Sequence, residues 1–242
     1  MQRPIPNGAA ILLASIREIE TGKTDRSAYD VIYGHKQGKL AKSLTKMTYG
    51  EIIDAQKAWS KNHGSSAAGA YQFMRATLID LAKANPSISG SDLFTADLQD
   101  QLGFQLLERR GYNEFTAGKI SRTEFGKRLA QEWASFPVLA AVQGAHRKIQ
   151  RGETYYAGDK LNKALVAPER IERLLDQVKA AGATAPAAPA KPVPAPEPAP
   201  KPQTPPAATP VPAAGKGDSI SGAILGIVVL ALIAAAAFIL GD

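Results

Sequence analysis

Cysteine is absent from the 242-residue chain, and histidine occurs only three times. Without cysteine there is neither a disulfide framework nor thiol chemistry. The three histidines, His35, His63 and His146, are scattered through the sequence and do not show the spacing of metal ligands. The sequence therefore predicts no metal site and no cofactor.

A secretory signal and nucleic-acid-binding motifs are also missing. The apolar run near the N-terminus is broken by Arg17 and Glu18, which is not typical of a secretory signal. The net charge of +7 belongs to residues 1–182, because the remainder carries three Lys and three acidic residues. Acidic and basic residues are interspersed, and no zinc-finger, recognition-helix or ribonucleoprotein pattern is present. We therefore expect no nucleic-acid partner, although a basic domain favours polyanions of another kind.

The composition changes near residue 182, where globular patterning ends. Residues 183–218 contain twelve of the seventeen prolines, mixed with Ala and a few Lys, and have no aromatic residue. This composition predicts an extended linker, largely polyproline-like. The sequence thus predicts a globular domain at residues 1–182 followed by a disordered linker at 183–218.

The last part of the chain, residues 219–242, is strongly apolar. Residues 220–240 carry no charged side chain, and as a helix they would be about 31 Å long, close to the thickness of a bilayer's hydrocarbon core. This predicts a single C-terminal transmembrane helix in a lipid bilayer. Gly222 and Gly226 have the spacing that permits close helix approach, which indicates a weak helix–helix dimer.

Helical patterning dominates residues 1–182. Residues 72–84 form an amphipathic pattern, and β-structure is confined to residues 29–34 and to strands flanking 65–70. The predicted fold class is therefore mainly α with a small β-sheet, an α+β arrangement. Five residues predict further helix starts by capping or by a first-turn proline: Thr48, Thr95, Ser121, Pro137 and Pro168.

Glu20 ends an apolar helical pattern over residues 11–20. At about 100° per residue, Glu20 lies about 70° from the centre of the apolar face, whereas Glu18 lies about 130° away and points to water. A carboxyl at the edge of an apolar surface loses hydration, which raises its pKa and holds the proton that a general acid needs. Taken alone, a glutamate near a helix end is more often a solvated last-turn residue.

Four segments in order strengthen the case for Glu20: residues 16–22, 29–34, 65–72 and 133–137. In order and approximate spacing they resemble the phage lambda endolysin family, the lambda-type lytic transglycosylases, over about residues 8–150. The resemblance implies a lysozyme-like fold with a cleft between a helical lobe and a small sheet. Two departures are the Glu-Thr-Gly of residues 20–22, where the family has Glu-Gly-Thr, and a shorter loop before Tyr29.

The resemblance also implies roles for individual residues. Glu20 would be the catalytic acid and base, and residues 133–137 would be mainly structural. Tyr29 and Asp30 would open the strand behind the cleft, while a hairpin would line the glycan groove, with Gln72 offering amide groups to the sugar. The implied substrate-binding residues are Tyr29, Asp30, Ser65, Gly69, Tyr71 and Gln72.

The implied activity is cleavage of the β-1,4 bond between N-acetylmuramic acid and N-acetylglucosamine in peptidoglycan, giving 1,6-anhydro ends. A phage-type enzyme anchored in a host inner or virion membrane would act on the periplasmic wall, at entry or lysis. Two alternatives stay open. A hydrolytic muramidase would use a second carboxylate, for which Asp25 and Asp30 are near in sequence. A non-catalytic structural or wall-binding membrane protein would share the fold.

Overall fold

The computed structural model describes residues 3–159 and 161–182, and the chain within them is mainly helical. The predicted linker, the predicted membrane helix and the predicted Gly222–Gly226 contact lie outside the described residues. Short 3-10 helices occupy Arg26–Asp30, Tyr33–His35, Gln37–Lys39 and Leu44–Lys46. The α-helices are α1 (Asn7–Thr21), α2 (Tyr49–His63), α3 (Arg75–Ala84), α4 (Ala96–Arg109), α5 (Tyr112–Thr116), α6 (Arg122–Glu132) and α7 (Pro168–Gly182), and the strands are β1 (Val142–Gln143) and β2 (Lys148–Ile149).

Helix α1, which carries Glu20, packs against α7. A Cβ atom on Gly8 would lie 2.5 Å from the backbone oxygen of Val178, so only glycine permits this approach. At the other end of α1, Arg170 Nη2 lies 2.7 Å from Glu18 Oε2. The start of α1 thus meets the end of α7, and the two helices run antiparallel.

Three of the predicted helix starts are confirmed by their capping bonds. Thr48 and Glu51 form a complete capping box at the start of α2. The hydroxyls of Thr95 and Ser121 accept the backbone N–H groups three residues later, at the starts of α4 and α6. Pro168 is the first residue of α7, as its fixed φ favours.

Two predicted helix starts are wrong. Pro137 begins no helix and forms an isolated antiparallel bridge with Thr154. Helix α3 begins at Arg75 rather than at residue 72, because Phe73 still exchanges backbone hydrogen bonds with Ala68 at 2.9 and 3.1 Å. The residues before α3 therefore belong to the preceding turn.

The predicted β-segments pair with each other, but through single bridges rather than strands. Ile32 bridges Ala68, and Ala68 bridges Phe73. The strand expected from Tyr29 is a 3-10 helix instead, because the Asp25 side chain caps it by accepting the Ser27 N–H at 2.8 Å. The regular two-stranded sheet is β1 with β2, whose antiparallel pairing was not predicted.

The mostly helical structure with a small two-stranded sheet fits the predicted α+β class, but the membrane part of that prediction is corrected. Within residues 3–159 and 161–182, no helix is long and apolar enough to cross a membrane. The predicted single-pass fold and the predicted membrane localisation are therefore not supported by the described structure, and the segment on which they depended lies outside it.

Candidate active site

Glu20 lies on a small, open cleft. The cleft brings together the end of α1, the turn before α3, the first turn of α3, one residue of α4 and the end of α6 with the segment after it. Two predicted substrate-binding residues, Tyr71 and Gln72, are in its walls. The lining residues are Glu20, Tyr71, Gln72, Phe73, Met74, Thr77, Leu106, Glu132, Trp133 and Ala134.

The carboxyl group of Glu20 is largely removed from solvent. The residue is only 8% exposed, because α1 buries Leu12, Leu13 and Ile16 on the same side. Its Oε1 accepts a hydrogen bond from the Ser135 hydroxyl. The predicted orientation of Glu20 toward packed protein is thus confirmed. Glu18, two residues earlier on α1, is partly exposed beside Arg170.

Burial also controls the ionisation of Glu20. Loss of hydration raises the pKa of its carboxyl to about 7, from an ordinary value of 4.5. The Ser135 hydroxyl donates to the charged form and partly opposes this rise. Near neutral pH the group can both give up and regain a proton, which is what a general acid–base requires.

The raised pKa of Glu20 predicts a pH-dependent stability difference between the wild type and Glu20→Gln. Between pH 4.5 and about 7 the native state keeps a proton that the unfolded chain has released. The stability contributed by Glu20 is therefore complete below pH 4.5 and is lost as the pH rises through about 7. Glutamine has no charge to bury, so the stability of Glu20→Gln relative to the wild type should rise as the pH increases.

Urea unfolding of both proteins across this range measures the difference. From pH 4 to pH 8, we expect the stability of Glu20→Gln relative to the wild type to increase by about 3 kcal/mol. A difference that stays constant with pH would mean that the Glu20 carboxyl ionises as it does in the unfolded chain.

A second buried carboxylate, that of Glu132, lines the same cleft and was not predicted. Glu132 is 6% exposed at the end of α6. Arg109 Nη2 donates to both of its oxygens at 3.2 Å, and Arg110 Nε donates to Oε2 at 2.6 Å. Glu132 immediately precedes the segment 133–137, but its pairing with a distant helix leaves no local sequence signal.

The hydroxyl groups of Tyr29 and Tyr71 are used inside the protein. The Tyr29 hydroxyl lies 2.8 Å from Asp100 Oδ1, and the Tyr71 hydroxyl donates to the same oxygen. Arg17 Nη1 donates to the Tyr29 hydroxyl at 2.6 Å. Burial and the nearby Asp100 carboxylate raise the pKa of Tyr29 to about 12 and raise the pKa of Tyr71 as well. Tyr71 is also only 1% exposed, so it supports the cleft wall and offers no free hydroxyl to a substrate.

Gln72 has an unusual backbone conformation at the cleft wall, with φ of +49°. Its Nε2 donates to the Gly69 backbone oxygen at 2.8 Å and approaches that of Val31 at 3.5 Å. Non-glycine residues rarely adopt positive φ, and such strain concentrates at functional sites. Since both amide hydrogens are directed to the backbone, the acceptor Oε1 is the group that Gln72 can offer to a sugar.

Gly69 lies behind the cleft wall, against the buried side chain of Gln99. The Gln99 amide donates to the backbone oxygens of Tyr29 and Phe94, both at 3.0 Å, and accepts the Ala70 N–H at 2.9 Å. A Cβ on Gly69 would lie 2.2 Å from Gln99 Oε1. Gly69 therefore supports the turn that carries Tyr71 and Gln72.

Asp30 and Ser65 also make structural hydrogen bonds rather than facing the cleft. Asp30 Oδ1 accepts the backbone N–H and the hydroxyl of Thr45, each at 2.8 Å. Ser65 is buried, and its hydroxyl accepts the Ala67 N–H at 3.3 Å. Direct sugar contact by these two residues stays a prediction.

Comparison with known proteins gives one finding. A protein-family model described as Endolysin matches residues 9–159, more than half of the chain. No curated protein and no solved structure matches the chain. The matched residues include Glu20, the cleft and both arginines that bind Glu132.

Proposed function

Since the chain belongs to the endolysin family, phage enzymes that degrade peptidoglycan in the bacterial cell wall, we propose that it is a lytic transglycosylase. The bond cleaved is the β-1,4 linkage between N-acetylmuramic acid and N-acetylglucosamine. One observation carries the proposal: Glu20 is a buried carboxyl on an open cleft, with its pKa raised to about 7. A single group in this state can act first as acid and then as base.

In the first step, Glu20 protonates the oxygen that links the two sugars. The bond from the anomeric carbon of N-acetylmuramic acid to this oxygen breaks, and the N-acetylglucosamine end leaves as an alcohol. Positive charge develops on the muramic acid ring while Glu20 becomes a carboxylate. The new negative charge lies beside the positive ring and thus stabilises it.

In the second step, the Glu20 carboxylate removes the proton from the 6-hydroxyl of the same muramic acid. The 6-oxygen bonds to the anomeric carbon and closes a 1,6-anhydro ring. Glu20 regains the proton that it lost, so the enzyme returns to its starting state. No water molecule is consumed, and no second carboxylate is required as a nucleophile.

Substrate contacts divide into two groups under this proposal. Gln72 lines the cleft and contacts the glycan through its amide oxygen. Tyr71 also lines the cleft, but it is 1% exposed, so its ring supports the cleft wall and does not stack on a sugar. The other four residues support the cleft structurally, through hydrogen bonds and packing within the protein: Tyr29, Asp30, Ser65 and Gly69. This division differs from the groove expected from sequence, in which all six residues bind sugar.

A hydrolytic muramidase is the second candidate, and the carboxylate of Glu132 on the same cleft favours it. Such an enzyme needs a second carboxylate to activate water or to bond the sugar. Asp25 and Asp30 are not among the described cleft residues. The case against Glu132 is that both of its oxygens already accept hydrogen bonds from Arg109 and Arg110.

The product separates these candidates. We expect the full-length protein, incubated with purified peptidoglycan in ¹⁸O-labelled water, to release muropeptides with 1,6-anhydro ends and without the label. Hydrolysis would give reducing ends that are heavier by one water and carry ¹⁸O. The second result would replace the transglycosylase proposal with the muramidase, and absence of any release would favour a non-catalytic protein.

A further inference from the structure

Ser135 is the described side chain whose hydroxyl bonds to the proposed acid. It is 3% exposed and lies on the segment that follows α6, 115 residues from Glu20 in sequence. The resemblance to lytic transglycosylases implied only a structural role for residues 133–137. The contact between Ser135 and the reacting carboxyl is specific, because it engages one of the two oxygens, Oε1.

The segment around Ser135 is held firmly by other bonds. The backbone oxygen of Ser135 accepts the Leu165 N–H at 2.8 Å. The Thr154 hydroxyl donates to the Ala134 backbone oxygen at 2.7 Å, and Trp133 Nε1 donates to the Tyr71 backbone oxygen at 3.2 Å. The Ser135 hydroxyl therefore has a defined position relative to Glu20.

Other ionisable groups on the cleft are engaged with different partners. The Tyr71 hydroxyl donates to Asp100. The Glu132 carboxylate pairs with Arg109 and Arg110. The pKa of the Glu20 carboxyl is thus set by its burial, which raises it, and by the hydrogen bond from the Ser135 hydroxyl, which lowers it.

We propose that Ser135 is a positioning residue for the acid–base step: its hydroxyl occupies Oε1 of Glu20, so that Oε2 carries the proton toward the glycosidic oxygen. This inference rests on the proposed function of Glu20. When Glu20 gives up its proton, the Ser135 bond becomes a bond to a charged acceptor and strengthens. An interaction that is stronger in the transition state than in the ground state accelerates the reaction.

Replacement of Ser135 by Ala tests the proposal through the pH dependence of peptidoglycan cleavage. Activity should fall as Glu20 loses its proton at alkaline pH. Without the hydroxyl the carboxylate is less stable, so Glu20 keeps its proton to higher pH. We expect the alkaline limb of the profile to move upward by about one pH unit, and the maximal rate to fall about tenfold.

A second variant and a matched control complete the test. Ser135→Cys, in a chain that has no other cysteine, replaces the hydroxyl by a weak donor of similar shape and should shift the limb in the same direction. Thr154→Val removes a hydroxyl that anchors the same segment without contacting Glu20. In this control we expect the alkaline limb of the pH–activity profile to stay at the wild-type pH, even if the maximal cleavage rate changes.

Three results would overturn the role of Ser135. They are an unchanged limb in folded Ser135→Ala, an unchanged limb in Ser135→Cys, or an equal shift in Thr154→Val. The proposed function has a separate test, because a Glu20→Gln variant that still cleaves peptidoglycan would remove Glu20 as the acid. An inactive Glu20→Gln variant together with an unshifted Ser135→Ala variant would reject only the role of Ser135.

Discussion

Replacement of Glu20 by Gln is expected to lower the rate of 1,6-anhydro muropeptide release by a factor of at least about 10²–10⁴, the usual contribution of one general acid–base group. Glutamine preserves the size of the side chain and can still accept from the Ser135 hydroxyl. It cannot give a proton to the leaving oxygen or take one from the 6-hydroxyl. Because one residue performs both tasks in the proposed reaction, we expect the loss at the upper end of this range.

Glu18→Gln is the matched control, since it makes the same chemical change two residues away on α1. Glu18 is paired with Arg170 at the surface, and such pairs contribute about 0–1 kcal/mol to stability. We expect this control to cleave peptidoglycan at close to the wild-type rate. The initial rates of muropeptide release measure both variants, and a Glu20→Gln protein with a tenth of the wild-type rate would contradict the assignment.

Replacement of Gly69 by Ala should lower the free energy of unfolding by about 2–5 kcal/mol, because the strained backbone conformation adds to either a clash with Gln99 or the displacement of Gln99. The φ of +76° costs an alanine about 1–2 kcal/mol. The new Cβ would lie 2.2 Å from Gln99 Oε1, and overpacking of this kind costs about 1–3 kcal/mol. If Gln99 instead moves away, the clash is relieved but the buried Ala70 N–H loses its acceptor, which costs about 1–3 kcal/mol.

Gly118→Ala separates backbone strain from the clash with Gln99. Gly118 has a nearly equal φ of +73°, but its Cβ would meet only the end of the Lys179 side chain, at 4.0 Å. We expect this control to lose about 1–2 kcal/mol, the cost of the conformation alone. Urea unfolding of both variants provides the comparison. Equal losses of unfolding free energy in the two variants would show that Gln99 can move without an energetic penalty and does not maintain the turn.

Local sequence patterns predicted the features that depend on neighbours within one or two turns of helix. The capping residues Thr48, Thr95 and Ser121 identified three helix starts, because a cap bonds to the backbone three residues away. The position of Glu20 at the border of an apolar face predicted its burial in the same way. The helix start predicted at Pro137 is wrong because the fixed φ of proline suits the first turn of a helix and also an extended bridge.

Tertiary structure decided which groups surround the site. The Ser135 hydroxyl at Glu20, the two arginines at Glu132 and the carboxylate of Asp100 at Tyr71 all join residues far apart in sequence. Periodicity and capping report only local geometry, so they contain no information about such pairs. The amino-acid sequence by itself determined that Glu20 faces the protein interior. Only the packing of α1, α4 and α6 decided that one hydroxyl meets its carboxyl and that a second carboxylate shares its cleft.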